Sequence, residues 1–124
     1  KESTIDIVHI QNTMRLIGDG ADYQFLSGSD ASTLAILQLG GKGIISLISA
    51  VFPKPIIDLC DAWFSGDKEL AKQRQFAVLA IRDALKTGPF MAGVPMGSVR
   101  APLANLSDAE KEKIKKSLQT LQLI

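Results

Sequence analysis

Gly40-Gly41-Lys42-Gly43-Ile44-Ile45-Ser46-Leu47-Ile48 is the stretch whose reading decides the fold. From Ile44 to Ile48 it is near-continuously apolar and β-branched. A strand buried on both faces reads this way, as in a parallel sheet. The glycines ahead of it do not form a phosphate loop. They lack the Gly-Lys-Ser/Thr ending and lead into a strand rather than a helix. Lys42 therefore reads as a solvent-facing residue at the N-terminal end of the strand.

Working upstream, Leu34, Ile36, Leu37 and Leu39 lie on a helix that stops at Gly40-Gly41. Ser27-Gly28-Ser29-Asp30 is turn chemistry, and Asp30 or Ser32 could cap that helix. Tyr23-Gln24-Phe25-Leu26 is short and aromatic-rich and reads as another strand. Ile7, Ile10, Met14 and Ile17 recur on one helical face, with Asp6 in the first turn and Gly18 and Gly20 at the end. Downstream, Pro53 and Pro55 open a helix with an apolar face of Ile56, Leu59, Cys60 and Trp63. Ser65-Gly66-Asp67 closes it. A further helix is expected over 68–86, with Leu70, Phe76, Leu79 and Ala80 inward. Residues 87–106 are Gly- and Pro-rich and read as irregular. A capping box, Ser107 with Glu110, starts a last helix striped by Ile114, Leu118 and Leu121.

Strands alternating with helices point to βαβ units and a parallel sheet. Two strands cannot make a stable parallel sheet, because their outer edges stay unpaired. The pattern therefore expects other strands to be supplied from elsewhere. No methionine precedes Lys1, and the chain reads as part of a longer polypeptide. At 124 residues it is one domain at most. A net charge of +1 gives no electrostatic case for nucleic acid or an anionic membrane. The single cysteine excludes an internal disulfide and a cysteine-based zinc site, and fits a cytoplasmic setting. No apolar run approaches the roughly 20 residues of a membrane helix.

Lys1-Glu2-Ser3, the Ser27–Asp30 turn and the Gly40–Ser46 segment, in this order and spacing, resemble the second half of the Schiff-base aldolases and lyases of the dihydrodipicolinate synthase and N-acetylneuraminate lyase family. The resemblance implies the C-terminal part of a (β/α)8 TIM barrel plus the family's C-terminal helical extension. Lys1 would end strand six, 23–26 would be strand seven and 44–47 strand eight. Residues 1–52 would then be barrel, and 53–124 the last barrel helix and the extension. Phe64-Ser65-Gly66-Asp67 and Arg100-Ala101-Pro102-Leu103 are similar to that extension. Three departures stand out. The tyrosine and the Thr-Thr segment that the family takes from its first half are not here, the path 89–95 is short, and an Asn-Pro-Ile-Pro-type stretch is lacking.

In this family a lysine at the end of strand six forms an imine with pyruvate. By resemblance that is Lys1. A free lysine amine is protonated at neutral pH and must be desolvated, or placed beside another cation, before it attacks. The mouth of a barrel can do this, and barrel active sites lie there. Gly28, Ser29 and Asp30 would line the pocket for the distal part of the substrate, and Ser3 could hydrogen-bond the same part. The backbone carbonyl of Ile45 would face the site, while Glu2 would alternate away from Lys1. No metal and no cofactor are implied.

The activity this points to is reversible cleavage of a 2-keto-3-deoxy sugar acid to pyruvate and an aldehyde. One alternative is dihydrodipicolinate synthase, condensing pyruvate with aspartate semialdehyde. A non-enzymatic alternative is an inactive half-barrel fragment. Expected partners are a 2-oxo acid, an aldehyde and the N-terminal half of the barrel, in the same or a separate chain. A homo-oligomer, commonly a tetramer in the family, is also expected. Bland readings stand beside these. Ser3 could cap the first helix, and Asp30 could be a cap rather than a ligand group. His9 reads as a surface or packed histidine. Cys60 and Trp63 read as core, and the lysines from 111 to 116 as a solvated helix face.

Overall fold

The computed structural model of the chain describes residues 1–18, 22–85 and 106–124. Gly20, Lys86 and the segments 89–95 and 100–103 lie outside the described residues, with most of the stretch expected to be irregular. The described helices are α1 (Ile7–Ile17), α2 (Thr33–Gln38), α3 (Pro53–Phe64), α4 (Lys68–Leu85) and α5 (Asp108–Thr120). Single 3-10 turns span Asp30–Ser32 and Ile48–Ala50. The chain forms two compact units, 1–78 and 79–124. Their division falls inside α4.

In the first unit three extended segments lie side by side and run parallel, with Ser27 between Glu2 and Ile44. Glu2 N donates to the Leu26 carbonyl at 3.0 Å, and Gly28 N to the Glu2 carbonyl at 2.7 Å. Ser27 N donates to the Gly43 carbonyl at 2.9 Å, and Ile45 N to the Ser27 carbonyl at 2.8 Å. This is the evenly slanted bonding of a parallel ladder, reduced to one residue pair per contact. The strands expected over 23–26 and 44–47 are thus shorter than their sequence patterns and centred on Ser27 and Ile44. One reason is a bulge. Lys42 N bonds the Phe25 carbonyl and Ile45 N the Ser27 carbonyl, so three steps on one segment face two on the other. Gly43 takes up the extra residue at φ 153°, which a side chain would disfavour.

Burial of this segment also differs from expectation. Ile48 is fully buried, but Ile45 and Leu47 are 55% and 56% exposed. Alternate residues of a strand face opposite sides, and none of the described residues covers the side that Ile45 and Leu47 face.

Each helix has a local cause. Asp6 is the N-cap of α1 and accepts from the Val8 and His9 N–H groups, one position ahead of the first turn where it was expected. Gly18 at φ 74° ends that helix. Of the α1 stripe only Ile10 is buried; Ile7 and Ile17 stay exposed. α2 packs on α3, whose first turn is opened by Pro53. The buried line of α3 is Ile56, Leu59 and Ala62, with Cys60 and Trp63 half-buried on its flank. The Lys68 ammonium sits 3.3 Å from the centroid of the Trp63 ring. Asp67 Oδ1 accepts from Leu70 N at 2.9 Å and so caps the start of α4.

The expected inward face of α4 is corrected. Its buried residues are Ala71, Gln75, Val78, Ile81 and Leu85, while Phe76 is 61% exposed and Ala80 is exposed. These positions follow the helical repeat faithfully, but one of them is a glutamine, and a hydrophobic count passes over it.

The second unit buries Ile81, Leu85, Ile114 and Leu118. Here the expected capping box is present, with Ser107 Oγ accepting from Glu110 N and the Glu110 carboxylate accepting from Ser107 N. At the other end Leu123 N bonds the Leu118 carbonyl and Gln122 N the Gln119 carbonyl. This is a Schellman pattern with Gln122 in the left-handed region at φ 56°.

Candidate active site

Lys1 opens the first extended segment, one residue before the Glu2–Ser27 bridge. Its Nζ donates to Ser3 Oγ at 2.9 Å, so Ser3 is engaged by the lysine, while Asp6 is the cap of α1. The aliphatic stem of Lys1 lies across Gly28. A Cβ at that glycine would meet Lys1 Cδ, and would come within 2.6 Å of Ser3 Oγ and 3.1 Å of the Glu2 carbonyl. A residue with a side chain at 28 would therefore push the lysine aside. Lys1, Ser3 and Gly28 form one cluster, although 25 or more positions separate the glycine from the other two in the sequence.

The turn after Ser27 is held from within. Ser27 is fully buried, and its Oγ donates to the Ser29 carbonyl at 2.8 Å. The same carbonyl accepts from Ser32 Oγ and Thr33 Oγ1. Three hydroxyls on one carbonyl oxygen fix the backbone of half-buried Ser29 beside Gly28. Asp30 is buried and its carboxylate points elsewhere. Oδ1 accepts from Ser46 Oγ, and Oδ2 accepts from Ile48 N at 3.4 Å. Ser46 Oγ in turn accepts from Ser49 N at 2.9 Å. Asp30 thus makes no side-chain cap bond to α2, and it ties its own turn to the turn following Ile45. Ile45 sits at the mouth of that second turn, its N–H on Ser27.

Glu2 faces away from the lysine. Its carboxylate accepts from Thr4 N at 2.9 Å and pairs with His9 Nε2 at 3.3 Å. The Thr4 backbone N–H, with the His9 ring as a lesser cause, draws the Glu2 carboxyl below the usual glutamate range. His9 is accordingly a surface partner of Glu2. Burial pushes the Cys60 thiol up, as suits a packed and unreactive cysteine. Among the described residues no group of three or more His, Cys, Asp and Glu side chains is close enough to hold a metal ion, and no helix is long and apolar enough to cross a membrane. A cleft of about 730 Å3 also touches Lys1, lined by Met14, Tyr23, Phe25, Leu39 and Lys42 among others. It shares only the lysine with the predicted site residues.

Sequence reading missed three contributors. Ser27 and Ser46 passed as ordinary turn and strand polar residues. Gln75 of α4 was not singled out at all, yet it is 5% exposed. Its signal was present: a polar residue at a position of the helical repeat that is otherwise apolar.

Parallel extended segments joined by helices, followed by further helices, are the C-terminal part of a (β/α)8 barrel with a helical extension. Comparison with known proteins agrees. The model of the dihydrodipicolinate synthetase family matches residues 1–121, and the chain belongs to that family. A 4-hydroxy-tetrahydrodipicolinate synthase of Geobacter sulfurreducens is 33% identical, matching all of this chain and 45% of its own length. The solved dihydrodipicolinate synthase of Thermotoga maritima superposes with a TM-score of 0.85 at 29% identity, again over all of this chain and 45% of that one. YagE of E. coli K12, a prophage protein of the same family solved in complex with pyruvate, gives 0.87 at 26% identity, over all of this chain and 46% of that one. The chain thus spans a little under half the length of these relatives.

Proposed function

We propose that this chain carries the Schiff-base lysine of a pyruvate-dependent class I aldolase or lyase, completed by the first half of the barrel. The observation that supports it is the Lys1–Ser3–Gly28 cluster beside two adjoining parallel segments. In this reading the Lys1 amine attacks the keto carbon of pyruvate and water leaves, giving a protonated imine. That imine is an electron sink, and loss of a methyl proton yields an enamine that adds to an aldehyde carbon. Ser3 holds the amine and then contacts the distal part of the substrate. Gly28 lets the lysine stem lie flat, and Ser29 and Ile45 line the pocket. Asp30 contributes by holding the turns rather than by touching substrate, since its carboxylate is taken by Ser46 and Ile48.

For the aldehyde, aspartate semialdehyde is supported by relatives of 33–35% identity named 4-hydroxy-tetrahydrodipicolinate synthase. The condensation therefore stands beside the sugar-acid cleavage as an equal reading. A homo-oligomer in the cytoplasm belongs to the same reading. The test is incubation with pyruvate and borohydride followed by peptide mass spectrometry. A reduced pyruvyl adduct on Lys1, absent in Lys1→Arg, is the expected result. A protein that turns over pyruvate and aldehyde with no adduct at this lysine would rule the mechanism out.

A further inference from the structure

We infer that Gln75 of α4 is a positioning residue that sets the turn beside Lys1 and, through Asp30, the turn after Ile45; this rests on the lysine reading above. Gln75 is buried and uses both ends of its amide. Nε2 donates to the Asp30 carbonyl at 2.9 Å, and Oε1 accepts from Leu34 N at 2.9 Å. These partners lie 45 and 41 positions upstream. Leu34 is in the first turn of α2, where backbone N–H groups lack helical partners. Ser32, the N-cap of α2, makes no side-chain cap bond. Gln75 therefore caps α2 from outside. By holding the Asp30 backbone it also fixes where the Asp30 carboxylate points, and that carboxylate grips Ser46 and Ile48 N.

One connected path thus runs from α4 through the turn after Ser27 to the turn after Ile45. Gly28 is pinned separately by its N–H on the Glu2 carbonyl. Loss of Gln75 consequently leaves the lysine seat in place and loosens the surrounding walls that would meet the distal part of the substrate. A helix outside the sheet would then tune the second substrate and spare the first. A buried amide with both ends satisfied has one geometry, which suits it to this task.

The experiment compares the full protein with Gln75→Met, which keeps the shape and loses both bonds, and Gln75→Glu, read at a pH alkaline enough to ionise the buried carboxyl, where it keeps the acceptor for Leu34 and loses the donor to Asp30. Three readouts are taken at a temperature where circular dichroism shows each variant folded: borohydride-trapped pyruvyl adduct, kcat and KM for whichever of aspartate semialdehyde and glyceraldehyde the wild type uses, and amide hydrogen exchange at Leu34 and Ile48. In Gln75→Met, adduct formation should stay within about twofold while the aldehyde KM rises about tenfold. Both amides should exchange faster. In Gln75→Glu the Leu34 amide should stay protected while Ile48 loosens. An unchanged aldehyde KM, or an Ile48 amide still protected in both variants, would overturn the inference. A wild type that forms no adduct would instead sink the lysine reading, and amide exchange would then decide the brace by itself.

Discussion

The turns after Ser27 and Ile45 and the helix α5 are all held by side-chain hydrogen bonds, but those bonds differ in reach. Asp30 is tied to Ser46 and Ile48, 16 and 18 positions on, and Gln75 to Asp30 across 45. In α5, Ser107 meets Glu110 and Asp108 meets Lys111 three positions on, and the C-terminal carbonyls are met by Gln122 and Leu123 close by. Long-reach bonds can form only after the chain has folded, so they couple distant segments and set the geometry of a site. Short-reach bonds form with the helix itself and stabilise it alone. Damage to the first region should therefore spread, and damage to the second should stay local.

The largest effect expected is at Gly28. In Gly28→Ala the new methyl collides with the lysine stem and with Ser3 Oγ. Trapping of pyruvate at Lys1 should slow about 100-fold, the scale of a roughly 1 Å misplacement. The melting temperature should move little, because flexible side-chain ends can give way. Quantitative mass spectrometry of the borohydride-treated protein measures the first and calorimetry the second. Equal trapping in both proteins would show that Gly28 does not seat the lysine.

Asp30→Ala comes next. It leaves the Ser46 hydroxyl and the Ile48 N–H without their acceptor in a buried place. A loss of about 2 kcal/mol in stability is expected, read from urea unfolding. Exchange should quicken at both turns together, and quickening confined to residues 46–49 would break the idea that the turns are coupled.

Ser107→Ala should cost about 1 kcal/mol through the lost cap. Exchange should rise in the first turn of α5 and nowhere among residues 1–78. Any spread into that unit would erase the contrast between the two regions.

The smallest effect is with pH. The Ser107 hydroxyl and N–H hold the Glu110 carboxyl below its usual range, and Lys111 does the same for Asp108. A carboxyl with a lowered folded pKa binds fewer protons in the folded state. Its stabilisation is whole above the unfolded value and fades as pH falls through the lowered folded value. The α5 N-terminus should therefore fray as pH drops below the ordinary glutamate value of 4.5, followed by the chemical shift of the Ser107 amide. A shift that titrates at or above the ordinary value would deny the capping box its charge.

Legibility followed the same division. The capping box, the Pro53 helix start and the Gly18 stop were readable because each is a rule about neighbours in sequence. The cluster of Lys1 and Gly28 was reached by resemblance to a family and not by spacing, since no local rule links residues so far apart. The α4 face was misread because Phe76 counts as apolar and Gln75 does not, although the buried amide is satisfied by Asp30 and Leu34. Burial of Ile45 and Leu47 was misread for a related reason. Apolar character says that a residue can be buried, and only packed neighbours decide whether it is.

The amino-acid sequence by itself determined the order of helices and extended segments, the caps and stops, and membership of the dihydrodipicolinate synthetase family, because local hydrogen bonding and residue pattern carry that information. The tertiary structure alone decided that the ladder shrinks to single pairs around a bulge at Gly43. It also decided that Asp30 serves the turn after Ile45 instead of its own helix, and that Gln75 faces inward. Each of these depends on which distant polar group arrives within hydrogen-bonding distance, and a buried donor or acceptor takes the partner that the packed chain supplies.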